Sequence, residues 1–191
     1  MARRQDVDQI LAHVRPGASH RKRPALAVLV GLPASGKSRV AGELRARTGA
    51  VVLESDTLRR LLFPRRTYSA EESQRLFAAI HEAAAELLAE GVSVVVDATN
   101  LAEAEREPLY EIAERQGARL VLVLVKAPDP LARRRLVRRE LTGVSRSEAD
   151  LRIYERMRGR LEGLQRPHHV VDTSQEMEPT LAAIATEMMK A

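Results

Sequence analysis

The sequence of 191 residues has no cysteine and no tryptophan, and aromatic residues make up only 3% of it. Without cysteine there can be no disulfide framework, no thiolate zinc site and no cysteine nucleophile. With so few aromatic rings, a nucleic-acid surface built from many stacked bases is not expected. These absences leave a globular protein whose chemistry must come from charged and hydroxyl side chains.

Long apolar runs are also missing. No stretch approaches the roughly 18–20 apolar residues that a membrane helix needs. The first ten residues contain Asp6 and Asp8 and lack the apolar segment of a secretory signal. We therefore expect no membrane partner and a cytoplasmic location.

Lysine is scarce, with four in the chain, so arginine carries most of the positive charge behind the formal net charge of +5. Residues 133–166 hold eleven arginines against five acids, and residues 1–24 hold six basic residues against two acids. These two segments could each meet an anion. A general preference for arginine over lysine explains part of the enrichment equally well.

From residue 25 onward, short apolar runs alternate with amphipathic segments five times, which is typical of an open parallel sheet covered by helices on both faces. We therefore predict an α/β fold with a five-stranded parallel sheet. The predicted strands are Ala25–Val30, Val51–Glu54, Val92–Val96, Leu120–Val125 and Val170–Asp172. The predicted helices are Val7–Val14, Lys37–Arg47, Asp56–Leu62, Ser69–Glu90, Ala102–Gln116, Pro130–Leu141, Ser147–Leu164 and Pro179–Lys190. Ser69, followed three residues later by Glu72, predicts a capping box at the start of the helix Ser69–Glu90.

The motif G-x-x-x-x-G-K-[ST] occurs without a mismatch between the first strand and the following helix. In this context the backbone N–H groups cradle phosphate oxygens, and the helix dipole adds positive potential. Lys37 is then expected to reach the β- and γ-phosphates, and the Ser38 hydroxyl to complete a Mg²⁺ site on ATP. The predicted nucleotide-binding residues here are Gly31, Leu32, Pro33, Ala34, Ser35, Gly36, Lys37, Ser38 and Arg39.

A phosphate cradle alone does not identify a reaction. The Asn-Lys-x-Asp run that specifies guanine in translational GTPases is absent. The third strand ends at Asp97 without the second acid that is usual in motor ATPases, and the chain is short for a mechanical ATPase. A kinase is the class that remains.

A kinase also needs a group that orients the acceptor hydroxyl and takes its proton. Asp56 follows the second strand, so it should lie at the same sheet edge as the cradle, because ligands of such sheets bind at the carboxyl ends of the strands. Arg59, one helical turn later, falls on the same face and could steer the acceptor. The alternative is that Asp56 only caps its helix.

The cradle, the Asp56/Arg59 pair, the run Asp97–Leu101 and an arginine-rich helix followed by Tyr154-x-x-Met157 resemble the phage-type polynucleotide 5′-kinase domain. They also resemble a broad bacterial group of kinases that is often labelled zeta-toxin-like. This resemblance implies that Asp56 is the general base and that Arg59 contacts the acceptor. It also implies that Asp97, Thr99 and Asn100 bind the acceptor and that Arg134 and Arg138 contact ATP phosphates. Ala98 is an extra residue relative to the phage motif.

The arginine-rich segment of residues 130–164 is expected to form a lid over the nucleotide, with residues 142–146 as its hinge. Thr173, after the fifth strand, could line the adenine pocket or simply end the strand. We thus expect a basic extension at residues 1–24 and a P-loop kinase domain at residues 25–191.

Three functions stay open from the sequence. The first is an ATP-dependent kinase acting on the 5′-hydroxyl of a polynucleotide. The second is a kinase for a nucleoside, a sugar or an antibiotic, which the same base and fold would serve. The third is a nucleotide-binding toxin-like or regulatory module in which ATP turnover is incidental.

Overall fold

A computed structural model describes residues 2–14, 20–141 and 147–190. The predicted hinge at residues 142–146 lies outside them, as do residues 15–19 of the predicted basic extension. Helices are α1 (Ala2–Val14), α2 (Lys37–Thr48), α3 (Ser55–Leu62), α4 (Ala70–Ala89), α5 (Glu103–Arg115), α6 (Asp129–Leu141), α7 (Ser147–Arg158) and α8 (Glu178–Met189). Strands are β1 (Ala25–Val30), β2 (Val51–Glu54), β3 (Val94–Asp97), β4 (Arg119–Lys126) and β5 (His169–Asp172).

The five strands form one parallel sheet in the order β2-β3-β1-β4-β5, which confirms the predicted fold class. The central strand β1 is buried along its whole length, as its unbroken apolar sequence predicts. In this register Asp97 at the end of β3 lies opposite Leu29 of β1 and Glu54 of β2. The carboxyl ends of these strands therefore meet at one edge of the sheet.

Alternate residues of β1 point into two separate cores. Leu26, Val28 and Val30 belong to the core shared with α1, α3, α4 and α5. Ala27 and Leu29 belong to the core shared with α2 and α8. Helices thus cover both faces of the sheet, because each face of a central strand must be kept from water.

The helix predicted at Val7–Val14 exists and extends back to Ala2. Its residues Val7 and Ile10 are fully buried in the core beneath α4. The carboxylate of Asp6 accepts hydrogen bonds from Arg75 of α4 at 2.6 and 2.7 Å. The N-terminal segment is thus packed onto the rest of the molecule, and part of its charge is used in ion pairs.

The predicted helix Ser147–Leu164 is too long, since α7 ends at Arg158. The chain then turns back toward the β3–α5 connection, where the Glu162 N–H donates to the Leu101 carbonyl at 3.0 Å. A backbone N–H that bonds to another segment cannot continue the helical ladder, which explains the early end. Within the described residues, no helix is both long and apolar enough to cross a membrane.

Candidate active site

The P-loop, residues 31–38, connects the end of β1 to the start of α2. A Cβ on Gly31 would lie 2.3 Å from the Val125 carbonyl oxygen, so only glycine fits there. Gly36 has φ +103°, and its Cβ would lie 2.9 Å from Thr173 Cγ2. Ala34 also adopts the left-handed region, with φ +60°. The loop is therefore curled tightly, as the motif predicts.

Lys37 and Ser38 occupy the first turn of α2. The Lys37 ammonium donates to the carbonyls of Gly31 and Leu32, at 2.9 Å each, and so stays within the loop. Ser38 is exposed, and its hydroxyl donates to Glu54 Oε1 at 3.3 Å. The two side chains that the motif assigns to phosphate and metal therefore lie together at the carboxyl end of the sheet.

Asp97 lies at the floor of this site and is only 4% exposed. Its Oδ2 atom has no hydrogen-bond partner among the described residues. Burial raises the pKa of the Asp97 carboxyl above its ordinary value, and the nearby charges of Glu54 and Asp56 add to this rise. The Ser38 hydroxyl and the Lys37 charge oppose it. A buried carboxylate oxygen without a partner is costly, which points to a group that it would serve in the working protein.

Thr99 and Asn100, predicted as acceptor residues, contact the strand that carries the P-loop. The Thr99 carbonyl accepts from the Gly31 N–H at 3.0 Å. The Asn100 amide donates to the Leu29 carbonyl at 2.7 Å, and the residue is buried with φ +47°. These contacts fix the end of β3 against the start of the P-loop.

Asp56 and Arg59 share one face of α3 but differ in environment. Asp56 is exposed in the first turn of the helix. The N-cap residue of α3 is Glu54, and no side-chain hydrogen bond caps this end of the helix. Arg59 is only 7% exposed and forms an ion pair with Glu72 of α4. Its second terminal nitrogen donates to Ser73 at 3.3 Å. Asp56 is thus exposed to solvent, where a ligand can reach it. Arg59 is buried and is held by Glu72 and Ser73 of α4.

Glu72 organises this side of the site. Its Oε2 atom accepts from the Thr67 backbone N–H at 2.6 Å and from the Thr67 hydroxyl at 2.8 Å. These bonds, first of all the backbone one, lower the pKa of Glu72 to about 2. Ser69 caps α4 by accepting from the Glu72 N–H at 3.2 Å. The expected capping box is therefore only half formed, because the Glu72 carboxylate binds Arg59 and Thr67 instead.

The predicted lid helices pack on the P-loop through a small apolar cluster. Ala34 of the loop contacts Ala132 and Leu136 of α6 and Tyr154 of α7, all at most 6% exposed. The Tyr154 hydroxyl also donates to Asp129 Oδ1 at 2.9 Å. Tyr154 is therefore a packing residue, and the lid segment rests against the phosphate cradle.

Arg135 of α6 contacts the P-loop. Its guanidinium donates to the carbonyls of Ala34 and Ser35 at 3.1 and 3.2 Å, and to the Thr173 hydroxyl at 2.8 Å. The Thr173 hydroxyl in turn donates to the Ser35 carbonyl at 2.6 Å. Thr173 and Arg135 together fasten the loop on the side away from Asp56.

The arginines singled out from the sequence, Arg134 and Arg138, are both exposed on α6. Arg39, included with the cradle, is exposed on α2. Arg133 pairs with Asp129 and with Glu155 of α7, and thereby ties the two lid helices together. On the described part of α6, Arg133 and Arg135 thus make structural contacts, whereas Arg134 and Arg138 are exposed.

Magnesium is the metal that a P-loop site implies, and the residues fit it. Mg²⁺ prefers hard oxygen ligands and keeps several waters, with few direct protein ligands. The Ser38 hydroxyl, the partnerless Asp97 oxygen and the Glu54 carboxylate supply such oxygens. Within the described residues there is no cluster of three or more His, Cys, Asp or Glu suited to a metal.

Four residues with roles at this site were missed from the sequence: Glu54, Glu72, Arg106 and Arg135. Glu54 could have been found, because it ends β2 beside Asp56. The roles of the other three are set by tertiary packing, which no local pattern reveals. Arg106, for example, is fully buried and donates to the carbonyls of Asn100 and Leu101 at 2.9 and 2.7 Å.

Comparison with family models gave a match of residues 26–164 to the model described as AAA domain. The matched region runs from β1 through the P-loop and α3 to just beyond the end of α7. Comparison with curated proteins gave no match.

Solved structures of similar fold include several nucleotide-binding proteins. The APS kinase CysC of Mycobacterium tuberculosis, in complex with AMPPNP and APS, has a TM-score of 0.68 at 20% identity, covering 89% of this chain and 100% of its own. A gluconokinase from Sinorhizobium meliloti 1021 has a TM-score of 0.61 at 23% identity, covering 88% and 93%. Kti12 of Chaetomium thermophilum, in complex with ADP-AlF3, has a TM-score of 0.67 at 21% identity, covering 86% and 100%. At these identities the likeness establishes the P-loop NTPase fold.

Proposed function

The chain belongs to the AAA domain family, and we propose that it is an ATP-dependent kinase that transfers the γ-phosphate to a hydroxyl acceptor. The observation that carries the proposal is the meeting of three groups at one sheet edge. These are the phosphate cradle with Lys37, the buried carboxylate of Asp97, whose Oδ2 atom has no hydrogen-bond partner among the described residues, and the exposed carboxylate of Asp56. The kinases among the proteins of similar fold support it.

In this proposal the P-loop amides and Lys37 hold the β- and γ-phosphates, and Arg135 and Thr173 keep the loop in shape. Ser38 and Asp97 would hold the magnesium ion that accompanies ATP, directly or through water. When bound, that ion neutralises charge on the transferred phosphoryl group. The lid over the loop excludes water from the transfer and would bring Arg134 and Arg138 toward the phosphates as it closes.

On the acceptor side, Asp56 orients the acceptor hydroxyl and takes its proton as the oxygen attacks phosphorus. The bond from the γ-phosphorus to the bridging oxygen breaks, and ADP leaves with that electron pair. Arg59, held by Glu72, adds positive charge to the acceptor side. Asp97, Thr99 and Asn100 border the same space, as the resemblance to polynucleotide 5′-kinases and zeta-toxin-like kinases implies.

The acceptor that we favour is the 5′-hydroxyl of a polynucleotide, with a small-molecule alcohol as the second candidate. The exposed arginines of α6 support the first, because a polyanionic acceptor would meet them. The cytoplasm is the location that we propose, since a kinase requires a supply of ATP.

The decisive experiment measures transfer of labelled γ-phosphate to 5′-hydroxyl DNA and RNA oligonucleotides and to a panel of nucleosides and sugars. Asp56→Asn should lower transfer to the true acceptor by a hundredfold or more, on the order of what one positioned base contributes. Its affinity for ATP should stay at the wild-type value, because in this proposal Asp56 contacts the acceptor and not the nucleotide.

Glu111→Asn, which changes an exposed residue of α5, is the matched control and should leave transfer unchanged. Equal transfer by Asp56→Asn and wild type would refute the role of Asp56. Binding of ATP without transfer to any acceptor would favour the toxin-like or regulatory module instead.

A further inference from the structure

Tyr68 differs from every other aromatic residue of this protein. All five aromatic side chains fall within the described residues, and Phe63, Phe77, Tyr110 and Tyr154 are buried or partly buried. Tyr68 is 65% exposed. Tyrosine rings left at a surface are enriched where a protein binds another molecule, because the ring offers a large flat area and a polar tip.

The backbone at Tyr68 is held in an unfavourable conformation. Its φ of +54° lies in the left-handed region, which bulky residues rarely adopt. Such a conformation persists where neighbouring contacts over-determine it, and it occurs preferentially at functional sites. Here the preceding residue, Thr67, is fixed by two bonds to Glu72, and the following residue, Ser69, is fixed as the cap of α4. The loop therefore holds the ring in a set position.

One face of the ring is supported by Arg59, whose guanidinium carbon lies 5.0 Å from the ring centroid. Arg59 cannot move away easily, since its side chain is 8% exposed and ion-paired to Glu72. The exposed area of Tyr68 therefore belongs to the rest of the ring, which faces outward. A ring that is immobilised on one side is pre-organised for stacking on the other, because little side-chain freedom remains to be lost.

Arg59 connects the ring to the proposed base, Asp56. Asp56 and Arg59 are one helical turn apart on α3, so their Cβ atoms lie about 5–6 Å from each other. The Arg59 side chain and its contact with the ring come on top of this spacing, so the Tyr68 ring lies at most about 15 Å from the Asp56 carboxylate. An acceptor that carries a hydroxyl and a planar ring separated by several bonds is the kind of molecule that would engage both groups.

We propose that Tyr68 determines acceptor specificity by stacking on a planar heteroaromatic group of the acceptor while Asp56 engages the acceptor hydroxyl. This inference rests on the proposed kinase function. The chemistry fits a nucleobase, which a free nucleoside and the terminal nucleotide of a strand share. Arg65 and Arg66, both exposed in the same loop, would favour the strand, because they could meet its phosphates.

The test compares Tyr68→Ala, Tyr68→Leu and Tyr68→Phe with wild type. The acceptors are adenosine, a 5′-hydroxyl pentathymidylate and ribose. Loss of stacking on a base should raise the KM for adenosine or for the oligonucleotide about tenfold in Tyr68→Ala and Tyr68→Leu. Tyr68→Phe should keep the wild-type KM, and the KM for ATP should not change in any variant. Met189→Ala, which truncates an exposed apolar residue of α8, is the matched control.

Two results would overturn the proposal while leaving the kinase function intact. One is that wild type phosphorylates ribose but neither base-bearing acceptor. The other is that Tyr68→Leu behaves like Tyr68→Phe, which would mean that the ring only covers the Arg59–Glu72 pair. A preference for adenosine over the oligonucleotide, or the reverse, identifies the source of the base.

Absence of transfer to every acceptor would refute the proposed function separately. In that case, binding of the fluorescein-labelled pentathymidylate, followed by fluorescence anisotropy, decides the role of Tyr68. Weaker binding by Tyr68→Ala than by Met189→Ala supports stacking, and equal binding by the two variants contradicts it.

Discussion

Arg59 and Glu72 form an ion pair in which both side chains are buried, 8% and 6% exposed, although 13 residues separate them in the sequence. The pair joins α3 to α4 and sits directly beneath Tyr68. Burying two charges is costly unless each finds its partner and further hydrogen bonds. Ser73 and Thr67 provide those bonds, so the connection between α3 and α4 depends on this polar network.

The pKa of Glu72 predicts how this network responds to acid. Because its folded-state pKa of about 2 lies below the ordinary value of 4.5, the ionised carboxylate stabilises the folded protein above about pH 4.5. That stabilisation is lost as the pH falls toward 2. Urea unfolding of wild type and Glu72→Gln should therefore differ most at pH 5–7, and the difference should shrink by pH 3. Glu111→Gln, a control at an exposed residue of α5, should not show a pH-dependent difference from wild type. A difference in unfolding free energy between wild type and Glu72→Gln that stays constant with pH would contradict the prediction.

Asp97→Asn should raise the stability of the ligand-free protein while it lowers transfer. Burial raises the pKa of Asp97, so the folded state favours the neutral carboxyl and stability falls as pH rises through that pKa. A neutral isostere removes this cost at pH 7, and we expect a higher melting temperature there than for wild type. At pH 3 the two proteins should melt alike. Transfer should fall, and the Mg²⁺ concentration needed for half-maximal activity should rise.

Arg135→Ala should weaken ATP binding more than Arg134→Ala does. Arg135 bonds to two P-loop carbonyls and to Thr173, whereas Arg134 is exposed on the same helix. Hydrogen bonds to a charged group are worth about 1.5–3 kcal/mol, so we expect a rise of about tenfold or more in the Kd for ATP. Isothermal titration with a non-hydrolysable ATP analogue measures it. If Arg134→Ala raises the Kd for ATP more than Arg135→Ala does, the prediction is wrong, and Arg134, the arginine inferred from the family resemblance, has the larger role in ATP binding.

Arg106→Met should destabilise the fold by about 3 kcal/mol, since removal of one partner from a buried polar network leaves groups unpaired. Arg106 is fully buried, and it bonds to the carbonyls that follow Asp97. Equilibrium unfolding in urea gives the free energy. Arg160→Met, which removes an exposed pair with Glu105, should cost at most about 1 kcal/mol. Similar losses in the two variants would argue against a special role for Arg106.

Most of the fold could be predicted because its signals are local. The apolar runs predict the strands, and the helix predicted from residue 37 onward begins at the observed residue. The end of α7 was predicted wrongly, because the chain after Arg158 turns back to bond with Leu101, a contact that no local pattern contains. The capping box predicted at Ser69 and Glu72 forms only in part for the same reason. Ser69 caps the helix, but the Glu72 carboxylate binds Arg59 of α3 instead of the Ser69 backbone.

The sequence by itself determined the phosphate cradle, because its glycines, Lys37 and Ser38 act through a backbone shape that eight consecutive residues create. It also determined that Asp56 and Asp97 would share an edge with that cradle, because the carboxyl ends of parallel strands coincide. Only the tertiary structure decided that Arg59 is buried against Glu72, that Arg135 contacts the P-loop, and that Tyr68 is left exposed. Those outcomes depend on which side chains from distant segments pair with each buried charge. The spacing of residues along the chain does not determine such pairings.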